Sequence, residues 1–303
     1  MMLGVLFPQM EFGDDPIAIK EYAQTAEGLG YESLGVYDHV LSARPEGRDG
    51  PSVAYFHQQA FHEPFVLFGY LAGVTQRLVP VTKVLTLPER PTALVAKQAA
   101  EVDVLSGGRM RLGVGVGWNT VDFEGMNADF RTRATRMEEQ IEVLRLLWTN
   151  QFVTFDGKYH RISDAGINPM PIQRPIPIWI AGQSDAALRR VARLADGRFP
   201  GGGVVTPFQL QPARSEGWDV SVARMRDLAR DFGRDPKTIG IEFTVGGAEG
   251  TPDDWIADAE ECRGFGATHI RLTTMGAGLT SPSSRIEAIR RFWESVSPWL
   301  RAQ

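Results

Sequence analysis

One feature restricts the fold of this chain more than any other. Short apolar runs recur eight times along 303 residues, and most are followed by a longer segment with helical spacing. The runs are LGVLF (3–7), SLGVY (33–37), LVPVTKVLT (78–86), MRLGVGV (110–116), IPIWIAG (176–182), the short GRFPGGG (197–203), TIGIEFTV (238–245) and THIRLTT (268–274). An unbroken apolar run bounded by turn residues is the signature of a strand covered on both faces, and strands joined by helical crossovers run parallel. Eight such units predict an α/β fold, a (β/α)8 TIM barrel formed as a single domain over residues 1–303, with a doubly wound sheet as the alternative.

The punctuation supports this. In DDPIAIKEYAQTAEGLG, Asp15 can cap a helix, Pro16 suits its first turn and Gly30 ends it. The helix of PTALVAKQAAEVDVLS stops at Gly107 and Gly108. A helix near 132–149 puts Met137, Ile141, Leu144 and Trp148 on one face. Helices also start at TPFQ, TPDD and SPSS, each a capping hydroxyl followed by proline. The rhythm breaks only at 150–176. There FVTFDGKYHRIS predicts a hairpin insertion turning at Asp156-Gly157, and INPMPIQRPIP is a proline-rich connector.

Composition narrows the function. The formal charge of −5 carries no long run of one sign, which argues against a nucleic-acid partner or a membrane surface. No apolar stretch approaches the ~20 residues of a membrane span, and the first residues read as a strand rather than a leader, so a cytoplasmic enzyme is expected. Cys262 is alone and sits in a helical pattern, as a small buried hydrophobe does. A metal centre is not expected. The five histidines show no zinc-like spacing, and the first strand ends in Phe7-Pro8-Gln9 rather than His-x-His.

A barrel of this kind places its chemistry where the strands end, and this chain puts its unusual residues there. The second strand ends in Asp38 and His39, the latter a side chain that titrates near neutral pH. The bland reading is that Asp38 caps the next segment and His39 is satisfied by backbone. GVGVGW (113–118) fails as a dinucleotide fingerprint, because the third glycine falls on Trp118 or Thr120. Its glycines either let a flat group approach or let the barrel pack tightly. In AGQSDAALRRVARLADG, a glycine turn leads into a helix that Ser184 can cap, which makes either a phosphate cradle or an ordinary capped helix.

The stretches LTLPERPTALVAKQAAEVDVLSGGRMRLGVGVGWNTVDFEGM and GINPMPIQRPIPIWIAGQSDAALRRVARLADG, in this order, resemble the luciferase-like monooxygenase superfamily over nearly the whole chain. The resemblance implies a barrel with an insertion, a homodimer, and FMN or the deazaflavin coenzyme F420 bound at the mouth. The Asp38-His39 pair resembles the branch that uses coenzyme F420. By position, His39 would face the redox ring and the substrate as proton donor, and Asp38 would fix it. A non-prolyl cis peptide at Lys83–Val84 would back the ring, with Thr86 ending the same strand. Gly115, Val116 and Gly117 would pass beside the cofactor, Trp118 would stand at the rim, and Ala181, Gly182, Gln183 and Ser184 would hold the phosphate. Phe7 and the loop 41–61, with Arg44, Arg48, Tyr55, Phe56 and His57, would meet a small-molecule substrate. The chain departs from the family where Lys83 replaces a small residue and Gln183 a second glycine. The implied reaction is hydride transfer between coenzyme F420 and an organic substrate. The alternatives are an FMN-dependent monooxygenase using oxygen and a non-catalytic flavin-binding protein.

Overall fold

The computed structural model describes residues 1–42, 59–201, 217–246 and 250–302. In chain order the elements are β1 (Met2–Leu6), α1 (Gln9–Phe12), α2 (Pro16–Leu29), β2 (Ser33–Val36), α3 (Pro64–Ala72), β3 (Val79–Thr82), β4 (Leu85–Thr86), α4 (Thr92–Leu105), β5 (Leu112–Gly115), α5 (Thr120–Gly125), α6 (Arg133–Thr149), β6 (Val153–Asp156), β7 (Arg161–Ala165), β8 (Ile178–Ala181), α7 (Asp185–Leu194), β9 (Gly197–Phe199), α8 (Trp218–Asp231), β10 (Gly240–Val245), α9 (Pro252–Gly264), β11 (His269–Leu272) and α10 (Pro282–Arg301). The hydrogen-bonded order is β3-β2-β1-β11-β10-β9-β8-β5-β4, with every pair in this sheet parallel. β3 and β4 are two halves of one barrel strand, parted at Lys83 and Val84. β3 pairs with β2, β4 pairs with β5, and a parallel bridge joins Val81 to Arg111, so the sheet closes as an eight-stranded barrel.

The local signals act as the sequence predicts. Asp15 accepts the Ile17 N–H at 2.9 Å ahead of Pro16, and Gly30 ends α2 with φ 111°. Thr251 and Ser281 each form a capping box before a proline. The helix start expected at 206–209 lies outside the described residues. Met137, Ile141, Leu144 and Trp148 are all fully buried on the inner face of α6. β6 and β7 form the antiparallel hairpin. Glu139 of α6 holds its turn to the barrel by accepting the N–H groups of Lys158, Tyr159 and His160, each at 2.8 Å. No described helix is long and apolar enough to cross a membrane.

The barrel interior holds charge where such barrels usually hold branched apolar side chains. Glu242 of β10 accepts Arg271 Nε at 2.7 Å and Nη2 at 2.9 Å, and Lys83 Nζ at 3.0 Å. Arg271 also donates to the Val5 carbonyl at 2.8 Å and to Ser33 Oγ at 3.0 Å. Glycines vacate the necessary room. A Cβ at Gly35 would stand 2.7 Å from the Arg271 guanidinium, and one at Gly240 would stand 2.5 Å from the Trp179 ring. Burial pushes the Glu242 carboxyl up, but Arg271 and Lys83 outweigh it and hold the group far below the usual carboxylate range. Burial also lowers the Lys83 ammonium to about 8, with Glu242 opposing.

Removing one member of a buried ion network strands the others without their counter-charge, at about 3–5 kcal/mol. Glu242→Gln is therefore expected to lower the unfolding free energy by about that amount in urea denaturation. A loss below about 1 kcal/mol would show that the network does not hold the barrel.

Candidate active site

Parallel strands end on one rim, so the sheet order sets which strand ends are neighbours. Round the barrel, β1, β2, the β3/β4 strand, β5 and β8 are consecutive. The segments that follow them, 7–9, 37–39, 83–90, 115–119 and 181–184, thus form one continuous arc of the mouth. This arc carries the described residues that the sequence singles out for the site. Gln9 ties two of these ends together by donating Nε2 to the Tyr37 carbonyl at 3.0 Å.

His39 is held by a residue far along the chain. Its Nδ1 lies 2.9 Å from Asp122 Oδ2, with both side chains largely buried. Asp122, at the start of α5, is itself fixed, since it accepts the Leu41 N–H at 2.7 Å and Asn119 Nδ2 at 3.0 Å. Asn119 in turn caps α5 by accepting the Val121 N–H. Phe61 and Trp118 meet the imidazole edge-on, with centroids 4.9 and 5.7 Å away. The ring is thus set in position by a carboxylate and two aromatic walls, as a proton-transfer group requires.

Asp38 has a different task from the one the sequence assigns it. Its carboxylate accepts Arg90 Nη2 at 2.7 Å, Arg90 Nε at 3.3 Å and the Thr86 N–H at 3.1 Å. Arg90 also donates to Glu63 at 3.0 Å. Asp38 therefore fastens the end of β2 to the turn after β4, and the carboxylate on His39 Nδ1 is Asp122. Glu89, beside Arg90, is buried and its Oε1 has no hydrogen-bond partner among the described residues. Asp122 and Arg90 escape a reading of sequence because their partners, His39 and Asp38, are distant in the chain. The one local signal is Asn119 three residues before Asp122.

The wall between His39 and the phosphate turn suits a flat group. The Lys83–Val84 peptide is cis, and the side chain of Val84 lies 2.7 Å from where a Cβ at Gly115 would stand. Val116, Gly117 and Trp118 are half-buried, and Gly117 has φ 75°, a conformation that favours glycine. The Lys83 side chain turns into the barrel, onto Glu242 and over the Phe199 ring at 3.9 Å, so Lys83 offers the mouth only its backbone. At the β8–α7 turn Ala181 and Gly182 are half-buried, whereas Gln183 and Ser184 are exposed. Gly182 has φ 144°, and Ser184 caps α7 by accepting the Ala187 N–H at 3.2 Å. Arg189 and Arg224 neutralise Asp185 in that first turn at 2.9 and 3.0 Å. An exposed helix start with its acid paired fits a phosphate. A side-chain-free strip at Gly115–Gly117 fits a ring, and these residues could together hold a flavin-type cofactor.

Phe7 is buried against Phe12, Tyr22 and His62, which makes it a support beneath the mouth rather than an open contact. Tyr55 and His57, with Arg44, Arg48 and Phe56, lie outside the described residues. Among the described residues no group of three or more His, Cys, Asp or Glu side chains could hold a metal ion.

Comparison with known proteins gives the same fold and places it in a family. Residues 4–261 match the family model described as luciferase-like monooxygenase. The chain belongs to that family. This luciferase-like protein is 35% identical over 285 residues to an uncharacterized protein of Mycobacterium tuberculosis, covering 90% of this chain and 92% of the relative. It is 32% identical over 230 residues to the F420-dependent glucose-6-phosphate dehydrogenase of Amycolatopsis mediterranei, covering 73% of this chain and 64% of that enzyme. It is also 32% identical over 281 residues to the pyrimidine monooxygenase RutA of Pantoea ananatis, covering 87% and 76%. Among solved structures, the coenzyme F420 dependent tetrahydromethanopterin reductase of Methanopyrus kandleri shares the fold, with a TM-score of 0.75, 16% identity and 98% of each chain covered.

The Asp38–Arg90 pair is buried and multiply hydrogen-bonded, so its members should be strongly coupled. A double-mutant cycle of Asp38→Asn and Arg90→Met is expected to give an interaction of about 3 kcal/mol in unfolding free energy. Additivity of the two single changes would contradict the assignment.

Proposed function

We propose that this luciferase-like protein is a coenzyme F420-dependent oxidoreductase that transfers a hydride between the coenzyme and a small organic substrate at the mouth of the barrel. The observation that carries the reading is the His39 imidazole, held at the mouth by Asp122 and walled by Phe61 and Trp118. The kinship with an F420-dependent dehydrogenase supports the choice of coenzyme. When bound, a deazaflavin supplies or accepts a hydride, a pair of electrons with one proton. The chain's part is to orient the substrate and to manage the second proton. With Nδ1 engaged by Asp122, Nε2 of His39 is the atom that gives or takes that proton at the substrate. The carboxylate stabilises the imidazolium while the proton resides on the ring. Gly115, Val116 and Gly117, with the Lys83–Val84 peptide, would bear on the ring system, and Gly182, Gln183 and Ser184 on the phosphate.

The likeness to a pyrimidine monooxygenase over a larger share of the chain favours a second reading, FMN with molecular oxygen as co-substrate. Titrating the apoprotein with each cofactor separates the two. The first reading expects micromolar or tighter binding of coenzyme F420 and weaker binding of FMN, and the opposite order overturns it. His39→Ala is expected to lower kcat by about 10²–10⁴-fold while leaving cofactor affinity within about tenfold. Unchanged turnover would remove His39 from the mechanism.

We also propose that the chain forms a homodimer through an apolar patch on α2 and α3. Val66 and Tyr70 lie four residues apart on α3, and Tyr70 Oη donates to the Pro16 carbonyl beside Ile17. Ile17, Val66 and Tyr70 are all exposed, at 74%, 73% and 41%. Sedimentation of the wild type as a dimer and of Val66→Asp as a monomer is expected. A wild type that sediments as a monomer contradicts the proposal.

A further inference from the structure

The outer face of β9 carries a cation that the mouth does not use. A Cβ at Gly197 would meet the Trp179 ring, and the Phe199 ring lies 5.2 Å from that ring and under Lys83 inside the barrel. Strand alternation therefore sends the side chain of Arg198, between them, outward to α8. Arg198 is fully buried. Its Nη1 and Nη2 donate to a single hydroxyl, Ser221 Oγ in the first turn of α8, at 3.2 and 3.1 Å. Its Nε has no partner among the described residues. Arg271, equally buried, is held by Glu242 at 2.7 Å, but no carboxylate among the described residues does this for Arg198. Burial lowers its guanidinium to about 10, which leaves it charged at neutral pH.

The helix start against it has donors to spare. α8 begins at Gly217 with φ 90°, and no side chain caps it. Its first N–H groups carry the positive end of the helix dipole. Ser221 Oγ joins the two parts, since it accepts from Arg198 and donates to the Trp218 carbonyl at 3.2 Å. Trp218 Nε1 is a further buried donor with no partner among the described residues. Asp219, the acid of that turn, is exposed and forms no ion pair with Arg198. A Cβ at Gly217 would meet no described atom within 4 Å, so the helix start can be approached from outside. The uncommitted groups are donors, and they accompany a buried cation whose lack of a counter-charge is costly.

We propose that Arg198 and the start of α8 form a binding site for a small oxyanion, separate from the mouth of the barrel. The guanidinium supplies charge and its free Nε–H, and the helix start supplies backbone N–H groups. A bound anion neutralises Arg198 and ties β9 to α8. Arg198 pairs in register with Ile180 on the strand that leads to the turn 182–184, but it faces away from the barrel. The proposal does not rest on the hydride-transfer reading.

The test is isothermal titration calorimetry of the apoprotein with inorganic phosphate at fixed ionic strength. It is run on Ser184→Asp, whose carboxylate can still cap α7 but repels phosphate from the turn 182–184. This protein should bind phosphate with a millimolar or tighter Kd. Adding Arg198→Met should weaken that binding by about tenfold or more, as the loss of a charge-assisted hydrogen bond does. Adding Ser221→Ala instead should weaken it severalfold, and this variant decides the matter if Arg198→Met does not fold. Absence of phosphate binding in Ser184→Asp, or binding undiminished by the added change, overturns the proposal.

Discussion

A carboxyl group enclosed by a barrel must either take a cation or keep its proton, because an unpaired charge in a poorly polarisable interior is too costly. Much of this molecule is arranged by that constraint. Glu242 takes Arg271 and Lys83 at the centre of the barrel. Asp38 takes Arg90 and so joins two strand ends. Asp122 accepts the Leu41 N–H and Asn119 Nδ2, and lies 2.9 Å from His39 Nδ1, which fixes the orientation of the imidazole. Among the described residues no side chain is hydrogen-bonded to Glu89 Oε1, and burial, with Asp122 and Asp38 adding to it against Arg90, pushes that carboxyl up to about 9. The outer layers are conventional, with helices covering a closed parallel sheet. The specificity lies in how charges are allotted inside it.

That allotment accounts for a lysine at residue 83, at the break between β3 and β4, where the family resemblance leads one to expect a small side chain. A lysine there could crowd the wall behind a bound ring. In this chain Glu242 and the face of Phe199 receive the side chain inside the barrel, so the wall is left to the Lys83–Val84 peptide and to Val84 against Gly115. The lysine and the glutamate thus form a matched pair, although 159 residues separate them.

What was legible in the sequence was local. Strands announced themselves by apolar runs, helix starts by Asp15, Thr251 and Ser281 with the prolines after them, and the hairpin by Asp156-Gly157. His39 was legible because a titrating group at a strand end has a known place in a barrel. The partner of that histidine was not. Asp122 is 83 residues further on, and only the adjacency of strand ends round a closed sheet brings the two together. The neighbouring Asp38 looked like the obvious partner, but the adjacent strand delivers Arg90 to it. Gly35 in SLGVY carried no visible reason until Arg271 was seen beside it. Local periodicity fixes elements, whereas charge pairing depends on a topology that periodicity only implies.

The central claim is that one arc of the mouth, from His39 across Lys83–Val84 and Gly115–Gly117 to Ser184, receives a redox cofactor. A crystal structure of the protein soaked with coenzyme F420, and in parallel with FMN, tests it most directly. The account predicts a ring lying along Gly115–Gly117 with the His39 imidazole at its face or edge, and a phosphate at the turn 182–184. Density for the ring away from His39, or for the phosphate away from that turn, would contradict it.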